Sequence, residues 1–344
     1  MILLAVSAGF AFVVSILVSP IIIKWSSRRQ MGQPIREEGP KAHIVKAGIP
    51  TLGGIAIVIA AICGYGLSHI VERGIRTRAA PLALLVVAGF GLVGFLDDYL
   101  KLKRRHNEGL KKHTKFLMQI LVGLLFGVLA LYWAKEPTIV SFTRYNVPEI
   151  KLNSVLYILW CIAVIVASSN AVNLTDGLDG LAAGASSFVF AGFAIIGYFE
   201  FRHPGVYHVV PALDLAVVAA GLTGACLGFL WWNALPAKII MGDTGALALG
   251  GGLAALAIEE YNVLLLPVLA GLFVVVTLSV IIQVFSFKLF KKRVFKMAPL
   301  HHHFELSGWP ESTVIIRFWI LSSIFTTLGL GLFFGYYIGL GYGR

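Results

Sequence analysis

The chain has 344 residues, of which 58% are hydrophobic and 13% charged, and its formal net charge is +11. Soluble domains carry roughly 25% charged residues, so this composition excludes an ordinary soluble protein and indicates a polytopic membrane protein. In such a protein an excess of Lys and Arg first reports loop orientation, and we expect no nucleic acid among its partners. Cys63, Cys161 and Cys226 lie in apolar runs and are predicted to be core residues, not disulfides or metal ligands.

Apolar stretches of about 20 residues, the length of a membrane-spanning helix, recur along the whole sequence. The first has no basic segment before it and no small-residue cleavage site, so we expect a retained helix and not a signal peptide. The sequence predicts one all-α integral-membrane domain over 1–344 with ten spans, at about 2–23, 49–71, 81–96, 116–134, 153–172, 180–200, 214–233, 246–260, 263–287 and 313–340.

Basic residues are distributed unequally between the two sets of predicted loops. One set holds 19 of the 28 Lys and Arg residues and the other set holds 8. The richer set comprises the loops at 24–48, 97–115, 173–179, 234–245 and 288–312. By the positive-inside rule these loops face the cytoplasm, and both chain termini lie outside.

Five acidic residues from different loops fall on this predicted inner side: Asp97, Asp98, Asp176, Asp179 and Asp243. Taken alone, Asp176 and Asp179 fit an Asx-rich turn or helix cap, and Asp97 and Asp98 fit a solvated helix end. Their convergence at one membrane face favours a functional site, since ionisable groups at a membrane boundary are costly. Carboxylate oxygens suit Mg²⁺, which binds one or two carboxylates together with substrate phosphates.

Further polar residues lie at the same predicted face, and we add as candidate substrate contacts Thr51, Asn170, Asn173 and Asn233. For the three cations Lys46, Lys112 and Lys115, binding of a diphosphate and binding of a lipid headgroup are equally open. Gln283 in the ninth span is either a substrate contact or an interhelical hydrogen-bonding group.

Three consecutive histidines, His301, His302 and His303, occupy the last predicted inner loop. Consecutive side chains on a helix cannot all face one metal ion, which disfavours a zinc site. Hydrogen bonds to sugar or phosphate oxygens, or proton transfer, fit these imidazoles better.

Acids for Mg²⁺, glycine-lined helix starts and several cations at one membrane face meet the needs of phosphoryl transfer to or from a lipid. The alternative from another class is a lipid transporter, which binds its substrate near the membrane midplane. The predicted mid-span positions are almost free of ionisable residues, and this favours the transferase.

Five motifs, in order along the chain, resemble the polyprenyl-phosphate N-acetylhexosamine-1-phosphate transferases. They are Lys-x-Gly-x-Pro-Thr-x-Gly-Gly (46–54), Asp-Asp-Tyr (97–99), Asn-x-x-Asn-x-x-Asp-Gly-x-Asp-Gly (170–180), Met-Gly-Asp-x-Gly (241–245) and Pro-Leu-His-His-His-Phe-Glu (299–305). The last motif looks most like the branch acting on the muramoyl pentapeptide. The resemblance implies Mg²⁺-dependent transfer of phospho-MurNAc-pentapeptide from UDP-MurNAc-pentapeptide to undecaprenyl phosphate in the bacterial cytoplasmic membrane, giving lipid I and UMP. Transfer of another amino-sugar phosphate is the alternative within the family.

The resemblance also implies roles for single residues, a homodimer and a ninth helix bent into the membrane. Asp97 and Asp98 match the family's aspartate pair, one of which we expect to deprotonate the lipid phosphate, and Asp243 matches its main metal ligand. The nucleotide and diphosphate pocket is matched by Lys46, Asn173, Asp176, Asp179 and Asn233, with Gln283 and the histidines nearby; we take His302 as a catalytic candidate. Ile240 stands where many members have an aromatic residue, and Ala246 replaces a common Ser, so the uracil contact at this position departs from the family pattern.

Overall fold

The computed structural model describes residues 1–28, 48–72, 76–104, 109–144, 150–339 and 341. Lys46 lies outside these residues. The helices are α1 (Ile2–Arg28), α2 (Gly54–Val71), α3 (Ala79–Arg104), α4 (Lys112–Leu129, continued by a π-helical turn Ala130–Ala134), α5 (Ser154–Thr175), α6 (Leu181–Arg202), α7 (Pro204–Tyr207), α8 (Ala212–Asn233), α9 (Gly242–Glu259), α10 (Leu266–Leu269), α11 (Gly271–Phe290), α12 (Leu300–Glu305) and α13 (Glu311–Gly339). Two short antiparallel strands, β1 (Ile139–Val140) and β2 (Ile150–Lys151), pair Ile139 with Lys151 and Val140 with Ile150.

Nine helices within the described ranges are long and apolar enough to cross a membrane: α1, α2, α3, α4, α5, α6, α8, α11 and α13. The prediction of an all-α polytopic membrane protein is therefore confirmed. The predicted span 246–260 corresponds to α9, which is not among the nine; it begins with Gly-Asp-Thr-Gly and ends at Glu259.

Helix α9 lies in the centre of the bundle, and almost all of its side chains are buried. Glycines allow its backbone to approach its neighbours closely at the end where it begins. A Cβ on Gly94 of α3 would lie 2.2 Å from the Asp243 carbonyl oxygen, and one on Gly54 of α2 would lie 2.0 Å from the Gly245 nitrogen. Small residues at such crossings are typical of membrane helix packing, and here they bring the starts of α2 and α9 against the end of α3.

Two of the predicted spans differ from the helices in the structure, one in where it ends and one in its continuity. Helix α3 continues to Arg104, eight residues beyond the predicted end at 96, so Asp97 and Asp98 lie within a helix and not in a loop. Hydropathy detects where a helix leaves the hydrocarbon and not where its hydrogen bonding stops, and Lys103 and Arg104 in the last turn complement the helix dipole. The predicted ninth span, 263–287, is interrupted at Ala270 between α10 and α11.

Candidate active site

The end of α3 and the start of α9 bring three carboxylates together. One oxygen from each of Asp97, Asp98 and Asp243 lies within 4.8 Å of the others. Asp97 and Asp98 are only 3% and 4% exposed. Carboxylates this close repel one another unless cations or protons neutralise them, so the arrangement requires positive charge.

Asp98 holds the first turn of α9. Its Oδ2 accepts hydrogen bonds from the Thr244 backbone nitrogen at 2.9 Å and from Thr244 Oγ1 at 2.8 Å. Its Oδ1 accepts a bond from the Asp243 nitrogen at 3.2 Å. The free N–H groups at a helix start favour a carboxylate, and here the carboxylate comes from another helix.

A backbone ladder fixes the loop that precedes α9. Ile240 donates to the Pro50 carbonyl at 2.8 Å, Gly53 donates to Ile240 at 3.0 Å, and Gly54 donates to Met241 at 2.9 Å. Backbone hydrogen bonds therefore join the described part of the 46–54 motif directly to the start of the 241–245 motif.

Gly242 in this loop has φ +72°, and a Cβ there would lie 2.5 Å from Asp98 Oδ2 and 2.9 Å from Thr51 Oγ1. Only glycine adopts this conformation without strain. The predicted contact residue Thr51, 6% exposed, therefore lies beside the aspartate cluster.

Two ammonium groups supply the positive charge. Lys101 Nζ lies 2.6 Å from Asp97 Oδ2, 2.6 Å from Asp243 Oδ2 and 3.7 Å from Asp98 Oδ1. Lys115 Nζ lies 2.7 Å from Asp243 Oδ2 and 3.6 Å from Asp97 Oδ2. The oxygens of Asp97 and Asp243 thus face movable cations, and the same oxygens are hard donors of the kind that Mg²⁺ prefers. The donor set fits a magnesium ion.

The end of α5 adds a fourth carboxyl group. Burial raises the pKa of Asp176 well above its ordinary value, and the charges of Asp243, Asp98 and Asp179 raise it further. Because the charges of Asp243 and Asp98 act on its pKa, the Asp176 carboxyl lies within the electrostatic field of the aspartate cluster. Asn173 precedes it by one turn on α5 and is half-buried.

An open cavity of about 380 Å³ lies next to the cluster, between α4 and α5, and is lined by Lys112, His113, Lys115, Phe116, Gln119 and Asn170. Asn170 Nδ2 donates to Gln119 Oε1 at 2.9 Å and to the Val166 carbonyl at 2.8 Å. Lys115 belongs both to this cavity and to the aspartate cluster, so the two are continuous.

The three histidines lie on α12 and diverge. His301 is fully buried. A Cβ on Gly177 would lie 2.3 Å from His301 Nε2, so His301 packs against the 170–180 motif. His302 Nδ1 donates to Glu305 Oε2 at 2.6 Å. His303 Nδ1 accepts a hydrogen bond from the Lys296 nitrogen at 3.1 Å.

Several predicted contact residues bind the backbone of their own protein. Asn233 Nδ2 donates to the Ile239 carbonyl at 2.8 Å, and Asp179 Oδ2 accepts from the Ala237 nitrogen at 3.0 Å. The Asp179 nitrogen donates to Glu311 Oε1 at 3.2 Å. Gln283 accepts from the nitrogens of Val294 and Phe295 and donates to the Phe295 carbonyl, each at 3.0 Å. These side chains hold the loops around the site.

Sequence reasoning missed Lys101 and Thr244. Lys101 was not among the candidate residues, although it follows Asp97 by four residues and Asp98 by three, the spacings that share a helix face. Thr244 directly follows Asp243 and had no signal of its own, because its partner Asp98 lies on another helix.

Comparison with known proteins assigns this membrane bundle and its acidic site to a class. The sequence profile described as Glycosyl transferase family 4 matches residues 80–261, a range that includes the three aspartates, Lys101 and Lys115. Among full-length relatives, phospho-N-acetylmuramoyl-pentapeptide-transferase of Frankia casuarinae is 49% identical over 98% of this chain and 99% of that protein. The enzymes of the same name from Kineococcus radiotolerans and Streptomyces avermitilis are 46% and 48% identical over 97% and 92% of this chain, and over 98% and 93% of their own lengths.

The chain therefore belongs to glycosyl transferase family 4 and, within it, to the phospho-N-acetylmuramoyl-pentapeptide-transferase family. The family resemblance found in the five motifs is confirmed.

Proposed function

We propose that the protein transfers phospho-MurNAc-pentapeptide from UDP-MurNAc-pentapeptide to undecaprenyl phosphate, releasing UMP and forming lipid I. The observation that carries this proposal is the joining of Asp97, Asp98 and Asp243 to Lys101 and Lys115 at the start of α9. Opposite charges that exchange partners easily are suited to a diphosphate, whose own oxygens compete for the ammonium groups. The names of the relatives support the choice of substrates.

The proposed reaction joins a phosphate oxygen of the lipid to the sugar-bound phosphorus and breaks the bond from that phosphorus to UMP. Asp243, with Asp97 beside it, would hold a Mg²⁺ ion, which would neutralise charge on the diphosphate when bound. Lys101 and Lys115 bind phosphate oxygens as they release the carboxylates. Lys112 and Asn170 line the adjoining cavity, which gives the lipid phosphate a way to Lys115.

Of the two adjacent aspartates, we assign Asp97 as the base that takes the proton of the lipid phosphate. Both oxygens of Asp98 already accept bonds from fixed donors on α9. Asp97 Oδ1 accepts from the Leu110 nitrogen at 2.8 Å, whereas its Oδ2 lies 2.6 Å from Lys101 Nζ and 3.6 Å from Lys115 Nζ. A proton acceptor needs an oxygen whose partner can leave.

The remaining candidate contacts are assigned to the donor. Asn173 and Asp176, near the end of α5, are proposed to bind the nucleotide, with Lys46 and Thr51. Glu305 orients the His302 ring through Nδ1, and we assign His302 to the sugar or peptide of the donor. His301 and His303 shape this loop through their packing.

We further propose that residues 1–344 form one domain with ten spans, in which α9 is added to the nine apolar helices. The protein is a homodimer in the bacterial inner membrane, with external termini and a cytoplasmic active site. The basic-residue asymmetry supports the orientation. Lys111 and Lys151 are exposed and lie on loops predicted to face opposite sides of the membrane, so both positions are suitable for labelling. In a cysteine-free background, Cys at 151 should react with an impermeant maleimide on intact cells and Cys at 111 only after lysis. The reverse pattern would overturn the orientation.

The activity is tested with purified protein, undecaprenyl phosphate and Mg²⁺ by measuring UMP release. We expect turnover of UDP-MurNAc-pentapeptide, little turnover of UDP-N-acetylglucosamine, and loss of most turnover in Asp243→Asn. Equal use of both donors would favour the broader amino-sugar phosphate transferase. Absence of UMP release from either donor would refute the proposal.

A further inference from the structure

The outer end of the bundle contains carboxylates that the proposed reaction does not use. Glu200 lies near the end of α6, and Glu260 directly follows α9; both are fully buried. Glu200 Oε1 accepts a hydrogen bond from Asn262 Nδ2 at 3.0 Å. Glu200 Oε2, both Glu260 carboxylate oxygens and the Asn262 carbonyl oxygen Oδ1 have no hydrogen-bond partner in the described parts of the chain.

These oxygens converge on one place. Asn262 Nδ2 also donates to the Glu260 backbone carbonyl at 2.9 Å, so one amide group contacts both acidic residues. A Cβ on Gly197, one turn before Glu200 on α6, would lie 2.8 Å from Glu260 Oε1. The Glu260 carboxylate therefore occupies space that a glycine leaves open on the helix that carries Glu200.

The oxygens of Glu200, Glu260 and Asn262 are hydrogen-bond acceptors, and the residues around them do not supply enough donors. The buried hydroxyl of Tyr207, which lies within the field of the Glu200 charge, has no hydrogen-bond partner. The Arg144 guanidinium also acts on Tyr207 but lies over the Tyr336 ring. Among the residues that the structure describes, no Lys or Arg forms an ion pair with Glu200 or Glu260.

Buried, unpaired carboxylates are strongly unfavourable. One shared proton would bond two carboxylate oxygens, and the tyrosine hydroxyl could serve one more. A proton would leave the Asn262 carbonyl oxygen without a partner. A hard cation, in contrast, accepts carboxylate and amide oxygens together, and Ca²⁺ does so with flexible geometry.

We propose that Glu200, Glu260 and Asn262 form a binding site for a hard divalent cation, of the Ca²⁺ type, at the outer end of the bundle. The ion joins the outer ends of α6 and α9, the helix whose inner end carries Asp243. The inference is independent of the proposed transferase reaction.

The test measures thermal unfolding of the detergent-solubilised full chain with added CaCl₂ against NaCl of equal ionic strength. Asp243→Asn serves as the parent, because it removes an inner-face ligand that could also bind Ca²⁺. Ligand that binds only the folded state raises the midpoint with concentration. We expect Ca²⁺ to raise the midpoint of the parent by several degrees, and Glu260→Gln and Glu200→Gln to abolish this rise.

Glu259→Gln is the matched control. Glu259 is equally buried and unpartnered; its charge interacts with the neighbouring Glu260 and with Glu136 and Asp214, but not with Glu200. This variant should keep the Ca²⁺ response. Glu260→Gln should also unfold at or above the parent midpoint without Ca²⁺, because it removes a buried charge, and this shows that it folds. No Ca²⁺ response in the parent, or an equal response in Glu260→Gln, would overturn the site.

Discussion

We expect the Thr244 hydroxyl to govern how well Asp243 is positioned. Thr244 is 2% exposed, and its Oγ1 donates to Asp98 Oδ2 at 2.8 Å. Thr244→Val keeps the shape of the side chain and removes this one donor. A hydrogen bond to a charged group contributes about 1.5–3 kcal/mol. If all of it is expressed in the transition state, kcat/KM falls by roughly 10- to 150-fold, since 1.36 kcal/mol is tenfold in rate.

The assay is UMP release over a range of Mg²⁺ concentrations. Thr244→Val should lower kcat and raise the Mg²⁺ concentration needed for half-maximal rate, and Thr244→Ser should restore both. Thr223→Val is the matched control, because the Thr223 hydroxyl donates only to the neutral Ala219 carbonyl of its own helix at 2.9 Å. Wild-type kinetics in Thr244→Val would refute the positioning role of the Asp98 bond.

Three further predictions concern charges around the site. Lys101→Met should lower the half-saturating Mg²⁺ concentration, because the ammonium competes with Mg²⁺ for the same carboxylate oxygens, and it should also lower kcat. Lys103→Met, at an exposed position, is the control. An unchanged Mg²⁺ dependence in Lys101→Met would contradict the competition. His302→Ala should greatly reduce turnover while leaving UMP binding, measured by inhibition, nearly unchanged, and Glu305→Gln should have the same effect more weakly. Unchanged kinetics in both variants would show that this loop does not recognise the sugar or peptide of the donor. Asp176→Asn should raise the unfolding midpoint at pH 7, because a raised folded-state pKa means that the charged form destabilises the native state. This gain should disappear below about pH 4, where the unfolded carboxyl is protonated as well, and a pH-independent gain would point to another cause.

Hydropathy predicted most of the fold because the membrane imposes it. A span must be helical and about 20 residues long to satisfy its backbone, and that requirement can be read from the sequence. The predicted end of α3 at 96 was wrong for a related reason, since the helix goes on into the polar region, where hydropathy gives no information.

The candidate site was predictable in part. Asp97, Asp98 and Asp243 could be assigned to one face from charge asymmetry, and in the structure Lys101 Nζ lies 2.6 Å from Asp97 and from Asp243 and 3.7 Å from Asp98. The amides were harder to interpret. Asn233 was predicted at the membrane edge and Gln283 in the ninth span; at both positions a substrate contact and a structural hydrogen bond demand the same side chain, and in the structure both bind backbone groups.

Asp97 and Asp98 show why residue type and position do not settle a role. They are adjacent, equally buried and in the same motif. Asp98 accepts bonds from backbone and hydroxyl donors that cannot leave without unwinding the start of α9. Asp97 Oδ2 faces two ammonium groups on flexible side chains, which a phosphate can draw away. Only the second arrangement gives an oxygen that changes partners during a reaction, and the difference lies in helix α9, about 145 residues further along the chain.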